Sequence, residues 1–344
     1  MSELNVGIVG AGLAGRLHAK ILEDVSSAQV VGVYNRSEAA GRQLAEKYDA
    51  EYHGNYSELL DQVDLDVVSI CTPNSLHKQF ALPAAEGGTD LVVEKPLEVN
   101  TEKCRDIVEA ARNFQVKLAV IFQNRFTDVA QALKKAVEEE RFGTIVHADA
   151  SIKWFRPAQY YREGWQSDPE LAGGGALMTQ GIHTIDLMQW MMPEVEEIWG
   201  RVRTLHHDVE VEDMAVANLT FTNGATGIIQ ASTAIYPGVD ERLGIYGTEG
   251  TVELAGNRVE TWKFEDERKE DEEYRSLGAG DTSGGASDPS GISPEYHSRQ
   301  FEQIVRDFQR EKDHSVDGIE GTKSVEIIEA IYESSRVGRP VTLT

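Results

Sequence analysis

Two short stretches carry side chains that could move a proton. Glu94-Lys95-Pro96 follows the apolar run DLVV, and ALMTQGIHTIDLMQWMM at 176–192 sets Thr179 and His183 four residues apart on an otherwise apolar stretch. A lysine just past a buried strand can give a proton to a hydroxyl oxygen or take one away, and desolvation lowers its pKa toward working pH. The fixed φ of Pro96 suits a turn that aims it; the plainer alternative is a solvated turn lysine. Residues four apart share one face of an α-helix, so Thr179 and His183 are expected to point together into a cleft between domains. Leu177, Met178, Ile182, Ile185, Leu187 and Met188 then serve the core. The glycines at 173–175 let the chain enter this helix close to another surface.

A third stretch points to a phosphate. GIVGAGLAGRLH holds Gly10, Gly12 and Gly15 in G-x-G-x-x-G spacing around Leu13 and Ala14, after a strand and at the start of a helix. Glycine lets the backbone turn tightly and approach a pyrophosphate, whose charge the helix N-terminus favours. A carboxylate about 20 residues further on would bind the ribose 2′-hydroxyl of NAD. Asn35, Arg36 and Ser37 stand there instead. Nothing repels a 2′-phosphate and Arg36 can bind one, which favours NADP over NAD; the alternative leaves Arg36 in solvent.

These groups need elements to position them. Strands at LNVGIV, QVVGVYN, LDVVSICTPN, DLVVEKP and KLAVIFQN alternate with helices, one from His77 to Glu86 and one capped by Thr101. That alternation implies a doubly wound parallel sheet through about residue 124. From residue 125 to 344 the pattern changes. TIVHADASIKWF alternates, two strands flank Asn223-Gly224, and RLGIYG, GTVELAG and RVETWKF follow, giving an α/β domain with a mainly antiparallel sheet. Residues 265–295 read as a long surface loop, and 297–336 as helix able to pack back on the first domain.

Composition narrows the function. The 344 residues hold 33 basic and 58 acidic side chains, a formal net charge of −25. Such a surface repels nucleic acid and acidic membranes, and suits a salt-adapted cytosol. Only Cys71 and Cys104 occur, too few for a disulfide framework, and a cytoplasmic location is expected. No run is long enough to span a bilayer. His206, His207 and Asp208 could suggest a metal site; neighbours on a strand point to opposite faces, so no metal is expected.

Taken together, GIVGAGLAGRLH, CTPNSLH at 71–77, EKP at 94–96 and GGGALMTQGIHTIDLMQW at 173–190 resemble the Gfo/Idh/MocA oxidoreductases, the glucose-fructose oxidoreductase and inositol dehydrogenase family. The resemblance implies a Rossmann domain and a second domain whose open sheet is an oligomer face, giving a homodimer or homotetramer. It implies that Thr72, Pro73, Asn74, His77, Glu94 and Lys95 line the coenzyme, with Gln123 of FQNR near the nicotinamide. Lys95 and His183 would be catalytic. Thr179 stands where the family has an aspartate, and a threonine hydroxyl is no base at neutral pH. Arg156, Tyr161 and Trp165, with Tyr236 at a strand end, suit a sugar or its phosphate. The expected activity is hydride transfer between nicotinamide and a hydroxyl-bearing carbon of a sugar, nucleotide-sugar or polyol. A redox-neutral NAD-dependent glycosidase and a non-catalytic NADP-sensing regulator are the alternatives.

Overall fold

Six short apolar runs pair side by side in one parallel sheet. They are β1 (Leu4–Val9), β2 (Ala28–Tyr34), β3 (Glu51–His53), β4 (Val67–Ile70), β5 (Asp90–Val93) and β6 (Leu118–Val120). Their order is β3-β2-β1-β4-β5-β6, with every pairing parallel. The order reverses at β1, so the carboxyl ends of β1 and β4 flank the switch point where ligands bind in such sheets. All four residues of β4 are buried, as expected where helices cover both faces. The computed structural model describes residues 3–62, 64–162, 164–278 and 294–343. Of these, residues within 1–123 and 294–322 form one compact unit, and those within 124–278 and 323–343 a second. The helix Glu295–Gln309 puts Phe301, Ile304, Val305 and Phe308 into the first unit's core beside Ile8, Ile21 and Leu22.

The second unit is built on eight strands. They are β7 (Ile145–Lys153), β8 (Val195–Arg203), β9 (Met214–Phe221), β10 (Thr226–Ser232), β11 (Arg242–Gly247), β12 (Gly250–Ala255), β13 (Arg258–Phe264) and β14 (Val341–Thr342). The order is β13-β12-β11-β7-β10-β9-β8-β14. Every pairing is antiparallel except β7 with β10. The helix Ile182–Met191 lies against β7 and β11. Trp199, Val216 and Ile228 are exposed at 54%, 39% and 40%. Register places Asn218 opposite both Trp199 and Ile228, so these apolar side chains share one face of β8, β9 and β10.

Several local expectations change. Asn100, not Thr101, caps the helix Thr101–Phe114: its side chain accepts the Lys103 N–H at 2.9 Å. His206 and His207 lie in a loop after β8, so the opposite-face argument does not apply to them. Within the anticipated 265–295 loop, Asp271–Tyr274 is helical. The buried Asp271 carboxylate fastens it, accepting two Arg141 bonds at 2.7 and 2.8 Å and the Trp262 indole N–H at 2.6 Å. Residues 279–293 of that stretch lie outside the described residues. The stretch 176–192 is not one α-helix: Ala176–Gly181 winds as a π-helix before the α-helix Ile182–Met191.

Candidate active site

The three glycines of the first loop differ in what a side chain would meet. Gly10 has φ 105°, and a Cβ there would lie 2.6 Å from the Cys71 carbonyl oxygen. A Cβ on Gly15 would fall 1.8 Å from the Gly10 oxygen, so the helix Leu13–Asp24 could not sit this close to β1. A Cβ on Gly12 would meet nothing within 4 Å; its side of the loop is open. Asn35 holds the loop rather than facing outward. Its Oδ1 accepts the Ala11 N–H at 2.9 Å and its Nδ2 donates to the Ser37 oxygen at 2.9 Å. Arg36 and Ser37 are exposed. The helix starts at Leu13 and Ala14 with no acidic residue in its first turn, leaving its N-terminal N–H groups and dipole open to an anion.

The loops after β4 and β5 are tied from below. Pro73 leads into a 3₁₀ turn at Asn74–Leu76, and Asn74 is 4% exposed. His77 is fully buried, with Nε2 3.1 Å from the Thr72 oxygen and Nδ1 2.9 Å from the Pro96 oxygen. The ring is buried and braces the two loops. The Thr72 hydroxyl and the Gln123 amide oxygen are buried with no hydrogen-bond partner among the described residues. Arg125 of the same FQNR stretch, in the second unit, makes a buried bidentate pair with Asp186 at 2.8 and 2.7 Å.

Under Lys95 lies a residue the sequence reading missed. His18 is fully buried, with Nε2 3.0 Å from Glu94 Oε1 and Nδ1 2.8 Å from Ser69 Oγ and 3.1 Å from Cys71 Sγ. Burial alone would push the imidazolium down; Cys71 and Glu94 outweigh it and raise it to about 10. Burial works to raise Glu94, but the His18 bond and charge hold it at about 2. The other Glu94 oxygen accepts the Lys95 backbone N–H at 3.0 Å. Three positions past the last glycine, a histidine on the apolar face of an amphipathic helix was the available signal.

In the second unit, a remote carboxylate organises the π-turn. Buried Glu212 accepts the Gly175 and Leu177 N–H groups at 2.7 and 2.9 Å and the Tyr332 hydroxyl at 2.9 Å. Burial raises its pKa, against these bonds. A Cβ on Gly174 would lie 2.0 Å from the Tyr332 oxygen and one on Gly175 1.9 Å from the Glu212 oxygen, which explains the glycines. The Thr179 hydroxyl donates to the Gly175 oxygen at 2.8 Å, so its proton is already committed. His183 is half-buried on the first turn of the following helix.

Arg156 joins this group. It is 1% exposed and donates through Nη2 to Gln180 Oε1 at 2.7 Å, and the Gln180 amide donates in turn to the Tyr160 hydroxyl at 2.9 Å. Asp213 and His207 support it: Asp213 accepts the Leu205, His206 and His207 N–H groups, and His207 Nε2 lies 2.8 Å from the Arg156 oxygen. Tyr161 is not part of the group. It is 4% exposed and its hydroxyl pairs with Thr233 at 2.7 Å, so Tyr160 is the tyrosine that reaches Gln180. Trp165 is half-buried in a 3₁₀ turn, and Tyr236 is 79% exposed, edge-on to Phe155.

An open glycine loop, a helix N-terminus without acid, and two buried oxygens lacking partners fit a dinucleotide. Residues 4–122 match the model of an oxidoreductase family with an NAD-binding Rossmann fold, and residues 130–253 match that of the Gfo/Idh/MocA C-terminal domain. The chain belongs to the Gfo/Idh/MocA oxidoreductase family. Among solved structures, it is similar to the WlbA dehydrogenase of Chromobacterium violaceum, in complex with NADH and UDP-GlcNAcA. That match has 30% identity and TM-score 0.91, covering 100% of this chain and 97% of the other. The WlbA dehydrogenase of Bordetella pertussis, with the same two ligands, matches at 29% identity and TM-score 0.93, covering 100% and 98%. The myo-inositol 2-dehydrogenase of Thermotoga maritima is 27% identical over 267 residues, 75% of this chain and 77% of its own. As a Gfo/Idh/MocA member, the chain is an NAD-binding oxidoreductase of the sugar and polyol dehydrogenase class.

Proposed function

We propose that this enzyme oxidises a ring hydroxyl of a nucleotide-linked sugar. One observation carries the choice within the family: the full-length match to two dehydrogenases crystallised with NADH and UDP-GlcNAcA. The Thr179 hydroxyl, already donated to Gly175, cannot do the work of the family's aspartate, which leaves proton transfer to other groups. The nicotinamide, when bound, supplies the hydride chemistry. Gly10, Gly12, Leu13, Ala14 and Gly15 receive the pyrophosphate, and the Thr72 hydroxyl and Gln123 carbonyl offer polar contacts nearby. Lys95 exchanges the proton of the reacting hydroxyl and His183 assists it. Gln180 and Tyr160, held from behind by buried Arg156, present polar groups to substrate oxygens, and Trp165 and Tyr236 offer aromatic faces. Asn35, Arg36 and Ser37, standing where a ribose-binding carboxylate would be, favour NADP over NAD. The apolar face around Trp199 supports pairing of two copies through the open sheet.

A panel of free and nucleotide-linked sugars, with each coenzyme and at low and high salt, tests the reading by absorbance of reduced nicotinamide. Turnover should be highest with a nucleotide-linked sugar. Lys95→Ala should lower it by a factor of about 10² or more while coenzyme affinity holds within a few-fold. Release of an aglycone without net coenzyme reduction would favour a glycosidase, and coenzyme binding without turnover on any sugar would favour a regulator.

A further inference from the structure

The Glu94 carboxylate is one residue from Lys95 and holds that lysine's own N–H. The Glu94 and Lys95 charges attract one another, so a Glu94 carboxylate left uncompensated would keep the Lys95 amine protonated. A proton-exchanging lysine needs the opposite. We propose that His18 is the buried counter-cation of Glu94 and that, by offsetting this charge, it keeps the Lys95 amine able to release and regain its proton. The inference rests on the assignment of Lys95 as the proton-exchanging group.

His18 Nε2 meets Glu94 Oε1 at 3.0 Å, with the His18 side chain fully buried and that of Glu94 12% exposed, where an unpaired carboxylate would be costly. The groups facing the pair come from three elements. Ser69 and Cys71, on and just after β4, meet the second ring nitrogen of His18. Lys95 follows Glu94 after β5. His297 and Phe301 come from the helix Glu295–Gln309, the Phe301 ring edge-on to His18 at 4.7 Å. Burial pushes His297 down to about 4, so it is neutral near pH 7, whereas His18 is raised and remains charged. His18 is therefore the cation among the imidazoles beside Glu94. It also joins the glycine-loop helix to the ends of β4 and β5. It is a positioning and charge-setting residue rather than one that touches substrate.

Two substitutions should move Lys95 in opposite directions. His18→Gln keeps a donor toward Glu94 but removes the positive charge, so the lysine's apparent pKa should rise by about one unit. Glu94→Gln removes the negative charge, so it should fall by about one unit. The pH dependence of acetic anhydride labelling at Lys95, read by mass spectrometry, reports both without any turnover. Circular dichroism establishes that each variant is folded, and if His18→Gln does not fold, His18→Asn, which also removes the charge, carries the test. Unchanged labelling profiles, or shifts of the same sign, would overturn the proposal. If the wild-type protein turns over no sugar at all, the functional reading fails while the labelling result still decides this one. Where turnover is found, the pH profile of kcat/KM should follow the labelling, a change that mere loosening of the fold would not produce.

Discussion

His297 should make the first unit sensitive to acid in a defined pH window. Its side chain is buried at 6% exposure, and its Nδ1 has no hydrogen-bond partner among the described residues. Burial, with the charges of His18 and Lys95, outweighs the attraction of Glu94 and lowers it from 6.5 to about 4. The folded chain therefore refuses a proton that the unfolded chain accepts. Above pH 6.5 this costs nothing; as pH falls toward 4, stability is lost, and the gap corresponds to about 3 kcal/mol. The neighbouring pair acts elsewhere on the scale. Glu94, held at about 2, adds stability that is full above 4.5 and lost below it. His18, raised to about 10, adds stability that is full below 6.5 and lost as pH rises through about 10. Between pH 4.5 and 6.5, the loss among these three groups belongs to His297. Urea unfolding of the wild type and His297→Gln, at steps from about pH 7 to pH 4, measures it. The wild type should lose about 3 kcal/mol more than the variant across that range. Parallel curves, or a variant that is the more acid-sensitive, would refute the reasoning.

Two further outcomes follow from close approaches. Gly12→Ala adds a methyl that meets no protein atom within 4 Å, so the melting temperature should hold while affinity for the reduced coenzyme, by fluorescence titration, drops about tenfold or more. Gly15→Ala drives a methyl to 1.8 Å from the Gly10 oxygen and should lower both stability and coenzyme binding, the loss of stability being about 1–3 kcal/mol in urea. Glu212→Gln turns one arm of a three-bond acceptor into a donor facing donors, and should cost about 1–3 kcal/mol in the same assay.

The glycine loop was legible because its logic is local. Spacing, a strand before and a helix after are all within 20 residues, and the parallel sheet follows from alternation of the same kind. The open sheet was legible strand by strand, but not in β8, whose Glu196, Glu197 and Arg201 interrupt the apolar pattern, nor in the two-residue β14, nor in the parallel pairing of β7 with β10. The interior of the site was less legible. Helical spacing suggested that Thr179 and His183 share an α-helical face, yet the winding between them is set by Glu212 and Tyr332, distant in sequence. His77 was read by analogy as a coenzyme contact; which carbonyls a buried imidazole reaches depends on tertiary packing. His18 gave one polar letter on an apolar face, and its meaning required Glu94, 76 residues later.

The π-helical turn at Ala176–Gly181 has a consequence for any variant that changes chain length there. Such a turn holds one residue more than ordinary winding. Deleting one residue between Met178 and Gly181 would let the backbone relax to the usual pitch and leave the later side chains of the helix, His183 among them, close to their present directions. A deletion in ordinary α-helical winding, by contrast, swings every later side chain by about 100° about the axis. The turn therefore absorbs a length change that the helix after it does not.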